Sequence, residues 1–180
     1  MIFYEKGVSK KKMFEVGEYI VYGVKGVCRI EDITHLDIPG VDKDRLYYVL
    51  TPMSDGGRIY APTDNKKITM RRIITREEAD QLIADIPKIE LLWVPDDKQR
   101  EARYKEALNT CDYRAWVSIV KTLYLRKKER NAQGKKVTAL DERYMRTAEN
   151  ELYSELSLTL EIPKNEMENY IREKIDTARP

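Results

Sequence analysis

The sequence predicts an α+β protein in which a small β-barrel is followed by an all-α helical bundle. Between residues 13 and 72, short segments rich in Val, Ile and Tyr alternate with turn-forming residues, a pattern typical of β-strands. From Thr75 onward apolar residues instead recur at three- and four-residue intervals, as they do in amphipathic helices. The chain of 180 residues is long enough to bury a core in each of two compact modules.

Five strands are expected in the first module, in the segments EYIVYG, GVCRIEDIT, RLYYVLTPM, GRIYAP and KITMRR. The turn residues Asp55-Gly56-Gly57 are the strongest hairpin signal in the chain. RLYYVL is expected to be a central strand. GRIYAP ends at Pro62 and is expected at an edge, because proline cannot donate a hydrogen bond to a neighbouring strand. Small twisted sheets of this kind usually curl into barrels.

Capping residues predict where the helices begin. Thr75 and Glu78 form a capping box that opens a short helix, and this helix ends before Pro87. The two prolines around IELLWV predict an extended connector from Pro87 to Pro95. The later helices are expected to be capped by Asp96 or Asp97, by Asp112 and by Thr138, and the last helix is expected to start at Pro163.

These elements predict five segments along the chain. They are a flexible N-terminal extension over residues 1–12, a β-domain over 13–75, a short helix and connector over 76–95, a helical domain over 96–176 and a tail over 177–180. No stretch approaches the roughly 18 consecutive apolar residues of a membrane span, and the N-terminus lacks the apolar core of a secretion signal. We therefore expect a cytoplasmic protein without a membrane partner.

Positive charge is concentrated in one region of the chain. Residues 98–146 contain fourteen basic and six acidic side chains and carry a net charge of +8, whereas the rest of the chain carries −6. Charged helix faces are often merely solvated, so the count alone is weak evidence. A concentration of this size nevertheless favours a polyanionic partner such as nucleic acid.

The spacing of the basic residues suggests which of them contact phosphate. Arg100 and Arg103 are expected on one face of the helix after Asp97, with Lys105 near its edge and Tyr104 on the packed side. Lys135 and Lys136 precede a capped helix start, where free backbone amides add phosphate donors, and Arg143 follows within about two turns.

The two tryptophans have different expected roles. Trp116 lies in an amphipathic stripe and is expected in the core. Trp93 lies in the connector, where it could wedge against a base step or seal the joint between the modules, and the pattern favours the seal.

The sequence offers little that could support catalysis. Its only histidine, His35, lies seven residues from Cys28, so the two would point to opposite faces of one straight strand. Cys28 and Cys111 are too far apart for a CxxC zinc site, and both are expected to be buried as small apolar residues. The pairs Asp96-Asp97 and Asp141-Glu142 are better explained as helix caps than as metal ligands. We therefore expect no enzyme activity, no metal and no cofactor.

Several segments resemble one family of transcription regulators. MFEVGEYIVYGVKGVCRIEDI, followed by YYVL and RIYAP, is similar to the start of CarD/CdnL-type proteins. ARYKEALNTCDYRAWVSIVKTLYLRKKER and LDERYMRTAENELYSELSLTL resemble the helical half of that family, so the resemblance covers the chain from Met13 to about Ile175.

The resemblance implies a Tudor-like N-terminal barrel that binds the β subunit of RNA polymerase. It also implies a helical domain that touches promoter DNA at the upstream edge of the transcription bubble, from the minor-groove side, and stabilises the open complex. By position, two segments are expected to meet the polymerase: the strand with Arg58, Ile59 and Tyr60, and its neighbour with Leu36, Asp37 and Ile38.

This sequence departs from the family at one place. Well-known members carry a wedge tryptophan shortly before the Arg-Tyr-Lys segment, and Arg100 stands at the matching place here. The expected DNA contacts are therefore Arg100, Arg103, Lys105, Lys135, Lys136 and Arg143, with Trp93 as an addition.

The resulting hypothesis is a monomeric transcription initiation regulator that binds RNA polymerase and promoter DNA without reading base sequence. The alternative is a protein-binding adaptor of RNA polymerase without functional DNA contact. An RNA-binding role has less support, because the sequence has no RNP-like aromatic pair and its GVKG segment, residues 23–26, is better explained as a hairpin turn than as an RNA-binding GxxG loop.

Overall fold

The structure is a computed structural model that describes residues 14–177. The predicted extension over residues 1–12 lies outside the described residues, as do residues 178–180 of the predicted tail. Within this range the α+β prediction is confirmed, since five strands are followed by five α-helices.

The strands are β1 (Tyr19–Tyr22), β2 (Val27–His35), β3 (Leu46–Pro52), β4 (Ile59–Pro62) and β5 (Met70–Arg72). They form one antiparallel sheet in the order β4-β3-β2-β1-β5. RLYYVL therefore lies inside the sheet and GRIYAP at its edge, as the position of Pro62 predicts.

A β-bulge in β2 changes which side chains face the core. The pairing of β2 with β3 shifts register between Ile30 and Asp32, so Ile30 and Ile33 pack against the same apolar cluster although they are three residues apart. The straight-strand argument about Cys28 and His35 therefore does not apply to β2. His35 is exposed at the end of the strand and Cys28 is fully buried.

Both faces of the sheet are covered near β1. Ile20 and Tyr22 point into the interior of the sheet module, together with Cys28, Ile30, Tyr48, Leu50 and Ala61. Val21 points the other way because side chains alternate along a strand. It joins Val27 in a second cluster that includes residues of the helices.

The helices are α1 (Arg76–Asp85), α2 (Arg100–Asn109), α3 (Tyr113–Ala132), α4 (Ala139–Leu160) and α5 (Met167–Thr177). The predicted caps of three of them are confirmed. Thr75 and Glu78 form the complete capping box of α1, Asp112 accepts the amide of Arg114 at 2.7 Å, and Thr138 accepts the amide of Asp141 at 3.2 Å. In the described residues no helix is both long and apolar enough to cross a membrane.

Two predicted helix starts are wrong by a few residues. The helix α2 begins at Arg100, and the side chain of Gln99 at its cap position does not cap the helix amides. Asp96 instead accepts the amides of Lys98 and Gln99, which closes a separate turn before the helix. After Pro163 the chain forms a 3₁₀ turn, Lys164–Glu166, before α5.

The pairing of α3 with α4 organises the helical part. Ile119 and Leu123 of α3 meet Tyr144 and Ala148 of α4 in one cluster, and Trp116 meets Leu152 in another. The contacts advance in opposite directions along the two helices, so the helices are antiparallel. Trp116 is almost completely buried, as predicted.

One core cluster joins the sheet to the helices. Val21 and Val27 of the sheet pack with Leu82 of α1, Trp116 of α3 and Leu156 of α4. The turn between β1 and β2 also touches α4, because a Cβ at Gly26 would lie only 2.1 Å from the Glu151 carboxylate. Gly26 has a φ of +66°, so glycine satisfies both the turn and this close approach.

A partly buried ion pair lies in the same junction. The two terminal nitrogens of the Arg71 guanidinium, Nη1 and Nη2, donate to the Glu155 carboxylate at 2.5 and 2.8 Å. The third nitrogen, Nε, donates to the carbonyl of Cys111. Glu155 also accepts the amide of Ile74 at 2.7 Å. These bonds tie β5 and the segment that follows it to the turn between α2 and α3 and to α4.

Candidate protein and nucleic-acid interfaces

The connector between α1 and α2 is held against one face of α3. Ser118 donates to the carbonyl of Glu90 at 2.7 Å, and Thr122 accepts the amide of Leu92 at 2.8 Å. Lys121 lies between them and its Nζ donates to the carbonyls of Ile86, Pro87 and Ile89. A lysine at this position donates to carbonyls of the turn that follows α1.

Trp93 projects from this fixed connector into solvent. Its side chain is 68% exposed, so the interpretation that it seals the joint between the modules is wrong. Its neighbours Leu92 and Val94 point inward and pack against the α2–α3–α4 cluster, within the helical part. Arg103 lies over the Trp93 ring, with Cζ 5.3 Å from the centroid, and also pairs with Glu106 at 3.0 Å.

Arg100 lies on the buried side of α2. It is only 9% exposed and shares that side with Tyr104 and Ala107, which follow it by four and seven residues. The prediction that Arg100 and Arg103 share a solvent face is therefore wrong, because the i, i+4, i+7 stripe is the packed one. Arg100 pairs with Asp97 at 3.0 Å.

A buried carboxylate attracts Arg100 inward. Asp141, which is 2% exposed, lies 3.3 Å from Arg100 Nε without hydrogen-bond alignment and accepts a bond from Arg126 Nε at 3.0 Å. The Tyr104 hydroxyl donates to Oδ1 of Asp141, the carboxylate oxygen nearest to Arg100, at 3.4 Å. Burial, together with the negative charge of Asp141, raises the pKa of Tyr104 to about 12, so the hydroxyl keeps its proton. The charges of Arg100 and Arg126 therefore have acidic partners within the chain.

The other predicted phosphate contacts are exposed. Lys105, Lys135, Lys136 and Arg143 all lie at the surface. Arg143 pairs with Glu101 at 2.6 Å and lies over the ring of Tyr144. The loop that carries the two lysines is fixed by Arg130, whose Nε donates to the carbonyl of Lys136 and whose own carbonyl accepts the amide of Lys135.

Three further exposed cations lie on α3 and α4. Lys127, Lys128 and Arg146 are exposed, and none of them forms an ion pair at bonding distance with an acid of the described residues. They belong to the charge excess of residues 98–146, but no spacing argument singled them out. Unpaired cations contribute more to a positive surface than the paired Arg103 or Arg143.

The predicted polymerase segments lie at and beside one edge of the sheet. Within the described residues β4 pairs with β3 alone, which leaves its other edge without a strand. Tyr60 is 42% exposed, Arg58 is exposed and Ile59 is half-buried. An edge of this kind can accept a strand from a partner, and its exposed side chains then supply specificity.

The second predicted segment begins where β2 ends. Asp37 and Ile38 are exposed, whereas Leu36 is buried. Because His35 pairs with Leu46 and Tyr47 pairs with Pro62, this segment lies toward the Pro62 end of β4. Arg58 precedes the opposite end of the strand.

The cysteines are unsuited to chemistry. Both are buried, as predicted, and burial raises the pKa of Cys28 to about 12, with a further contribution from Glu151. A thiol of that pKa is almost fully protonated at neutral pH and is a poor nucleophile. In residues 14–177 no cluster of three or more His, Cys, Asp or Glu side chains could hold a metal ion.

Two family models match the sequence, one over the sheet and one over most of the helical part. The CarD-like/TRCF RID domain matches residues 14–74, which contain the sheet, and the CarD C-terminal domain matches residues 94–172, which contain α2, α3, α4 and the start of α5. A search of curated proteins finds no match.

Proposed function

This chain belongs to the CarD/CdnL family of RNA polymerase-interacting transcription regulators, and we propose that it stabilises the open promoter complex. In this proposal the β4 edge, with Arg58, Ile59 and Tyr60, binds the polymerase β subunit together with the segment from Leu36 to Ile38. The helical surface binds promoter DNA at the upstream edge of the bubble. The protein acts as a monomer without a catalytic step.

The observation that carries the DNA half of the proposal is the exposed Trp93 with Arg103 over its ring. A large aromatic side chain costs free energy when it is left in water, and here a hydrogen-bonded connector keeps it there. A rigid exposed aromatic beside a guanidinium suits the minor groove, where apolar wedges separate base steps and arginines meet the narrow, negative floor.

Exposed cations of the helical part would bind the DNA backbone in this proposal. Lys105, Lys135, Lys136 and Arg143 are exposed, and Lys127, Lys128 and Arg146 add to them. Arg100 has no phosphate contact in this proposal, because Asp97 and Asp141 already neutralise it. The seven remaining cations predict moderate, salt-dependent binding of DNA.

The two interfaces support each other through effective concentration. Once the β4 edge holds the polymerase, the helical surface is confined near the bubble, so weak DNA contacts suffice. Isolated affinity for DNA is then expected to be low, and deletion of the polymerase contact should abolish the effect on promoter opening.

Charge reversal in the α3–α4 loop tests the proposal. In Lys135→Glu/Lys136→Glu the open complex should dissociate faster. A plot of the logarithm of DNA affinity against the logarithm of salt concentration should have a slope shallower by about 2 if both lysines contact phosphate. The matched control is Lys66→Glu/Lys67→Glu, another exposed lysine pair, which lies in the loop between β4 and β5. Polymerase β-subunit binding, measured by pull-down, should be unchanged in both variants.

The adaptor alternative has one observation in its favour. Arg103 and Arg143 already have acidic partners within the chain, which reduces the positive charge they offer to DNA. If the Lys135/Lys136 variant binds polymerase and leaves open-complex lifetime unchanged, as the control does, the protein is an adaptor. Arg58→Glu tests the polymerase contact by itself, because it should remove polymerase binding whether or not the protein also contacts DNA.

A further inference from the structure

A groove between α3, α4 and α5 has features of a small-molecule site. Its volume is about 270 Å³. Met145, Glu149 and Tyr153 form its floor at four-residue intervals along α4. Val120 and Tyr124 from α3 and Ile171 and Ile175 from α5 form the apolar and aromatic part of the walls. The rest of the lining is charged and consists of Lys121, Glu168, Arg172 and Asp176.

The carboxylate of Glu149 lies in the middle of this floor and is half-buried between Met145 and Tyr153. Among the described residues no side chain or backbone amide donates a hydrogen bond to it. Burial, and then the negative charge of Glu168, raise the pKa of Glu149. A partly desolvated carboxylate without a hydrogen-bond donor is unfavourable for the protein alone.

Cations near the groove are mostly engaged elsewhere. Lys121 donates to carbonyls of the connector, and Arg172 pairs with Glu168 at 2.8 Å. Lys127 is the remaining cation and acts on Glu149 only through its longer-range field, because the two form no ion pair. A ligand that carries its own positive charge could therefore satisfy Glu149.

We propose that this groove binds a small organic amine, with its ammonium group on Glu149 and an aromatic or branched apolar body between the helices. The Tyr124 and Tyr153 rings add faces that attract a cation. The groove volume is slightly below the roughly 300–1,000 Å³ of sites for drug-sized ligands, which favours a small molecule over a partner helix. The proposal needs neither polymerase nor DNA, so its failure leaves the proposed function untouched.

The test is a titration of the full chain with 2-phenylethylammonium, monitored by the methyl signal of Met145. Met53, which is exposed near the β3–β4 turn, is the internal reference. The amine should shift Met145 saturably and leave Met53 unchanged. The neutral analogue 2-phenylethanol has the same body without the charge, and it should bind about tenfold more weakly.

Two variants complete the experiment. Glu149→Gln keeps the shape of the side chain and should weaken amine binding about tenfold without changing binding of the alcohol. Glu173→Gln removes an exposed carboxylate of α5 that does not line the groove, and it should bind the amine normally. Circular dichroism checks that both variants are folded.

Three results would overturn the proposal. They are equal affinities for amine and alcohol, an amine affinity that Glu149→Gln leaves unchanged, and a Met145 signal that does not move. A Met145 signal that instead follows protein concentration, with a dimer in sedimentation, would assign the groove to a second copy of the chain and would also overturn it.

Discussion

Arg103 restricts the motion of Trp93 by lying across its ring, and the same guanidinium forms an ion pair with Glu106. The tryptophan therefore loses little conformational entropy when it meets a partner. The same contact keeps a positive charge next to the aromatic face. A DNA fork that receives the ring would meet the guanidinium at the same time.

Replacement of Trp93 should shorten the lifetime of the open promoter complex. An aromatic contact to bases contributes about 1–3 kcal/mol, so Trp93→Ala should raise the rate of open-complex dissociation by roughly five- to 100-fold. Trp93→Phe should recover part of this loss because it keeps an apolar wedge. Dissociation kinetics with a fluorescent promoter give the rates, and a pull-down should find unchanged polymerase binding. An unaltered rate in Trp93→Ala would contradict a role for this side chain.

The carboxylate of Glu151 should make stability depend on pH. Burial, and to a smaller extent the charge of Glu155, raise the pKa of Glu151, whereas Asn150 and Lys164 act in the opposite direction. The native state therefore binds this proton more tightly than the unfolded state does. Stability from this group is complete below the ordinary pKa of 4.5 and is lost as the pH rises through the raised value.

The matched variant is Glu151→Gln, which has the same shape against Gly26 but no titration. Urea unfolding at about pH 4 and about pH 7 measures the difference between the variant and the wild type. The variant should gain stability relative to the wild type at the higher pH. A difference that is the same at both pH values would mean that Glu151 has its ordinary pKa in the folded protein.

At the scale of elements, the connector behaves as part of the helical scaffold, although it has no regular structure beyond the 3₁₀ turn Ile86–Lys88. Its backbone groups are bonded to Ser118, Lys121 and Thr122, which lie on one face of α3. Burial of Nζ lowers the pKa of Lys121, in agreement with its close contact with the connector. The position of Trp93 therefore depends on α3.

Removal of the Lys121 ammonium should release the connector. Lys121→Met keeps most of the apolar stem, leaves the carbonyls of Ile86, Pro87 and Ile89 without this donor, and should cost about 1–3 kcal/mol of stability. Hydrogen exchange of the Leu92 amide should accelerate, and open-complex lifetime should fall toward that of Trp93→Ala. Lys66→Met, at an exposed lysine of the loop between β4 and β5 that belongs to neither proposed set of contacts, is the control. If Leu92 stays protected in Lys121→Met, the other two bonds alone hold the connector.

Local signals predicted the elements well because each depends on a few neighbouring residues. The caps Thr75, Asp112 and Thr138 bond to amides two or three residues away, so their sequence pattern is sufficient. The prediction of a helix cap at Asp96 was wrong because an aspartate side chain can close an isolated turn as well as begin a helix. The bulge in β2 has no comparable sequence signal.

The candidate site was harder to predict because it depends on contacts between distant segments. Arg100 is drawn inward by Asp141, 41 residues later, and no helical spacing indicates that pair. Trp93 is exposed because Leu92 and Val94 take the inner positions of the connector. Its exposure and that of Tyr60 support the proposed interfaces, while the assignment of the individual DNA and polymerase contacts remains a prediction.

At the scale of the whole molecule, the sheet and the helices each have a core cluster of their own, and a third cluster joins them. One cluster contains Val21 and Val27 of the sheet together with residues of α1, α3, α4 and α5. The β4 edge and the Trp93 surface are thus carried by parts of the chain that pack against each other. The distance between a polymerase contact and a DNA contact would then be set by this packing rather than by a flexible linker.

The Arg71–Glu155 pair should be essential to that packing. Arg71→Met leaves the Glu155 carboxylate, which is 1% exposed, with the Ile74 amide but without its cation. Loss of one partner of a buried ion pair costs about 3–5 kcal/mol, and the stacking of Arg71 between Tyr113 and Trp116 is lost as well. Urea unfolding followed by Trp fluorescence and by far-ultraviolet circular dichroism should show the loss with both probes.

The double variant Arg71→Met/Glu155→Leu separates the effect of buried charge from that of packing. Replacement of a whole buried pair by apolar side chains is often close to neutral, so the double variant should be more stable than Arg71→Met alone. Recovery should be incomplete, because the Ile74 amide then lacks its acceptor. Arg72→Met is the control, since its partner Glu18 lies at the surface of the sheet module and such pairs contribute little.

If Arg71→Met unfolds in two separate transitions while the wild type unfolds in one, the pair is what couples the sheet to the helices. If it is no less stable than Arg72→Met, the apolar cluster alone holds them together.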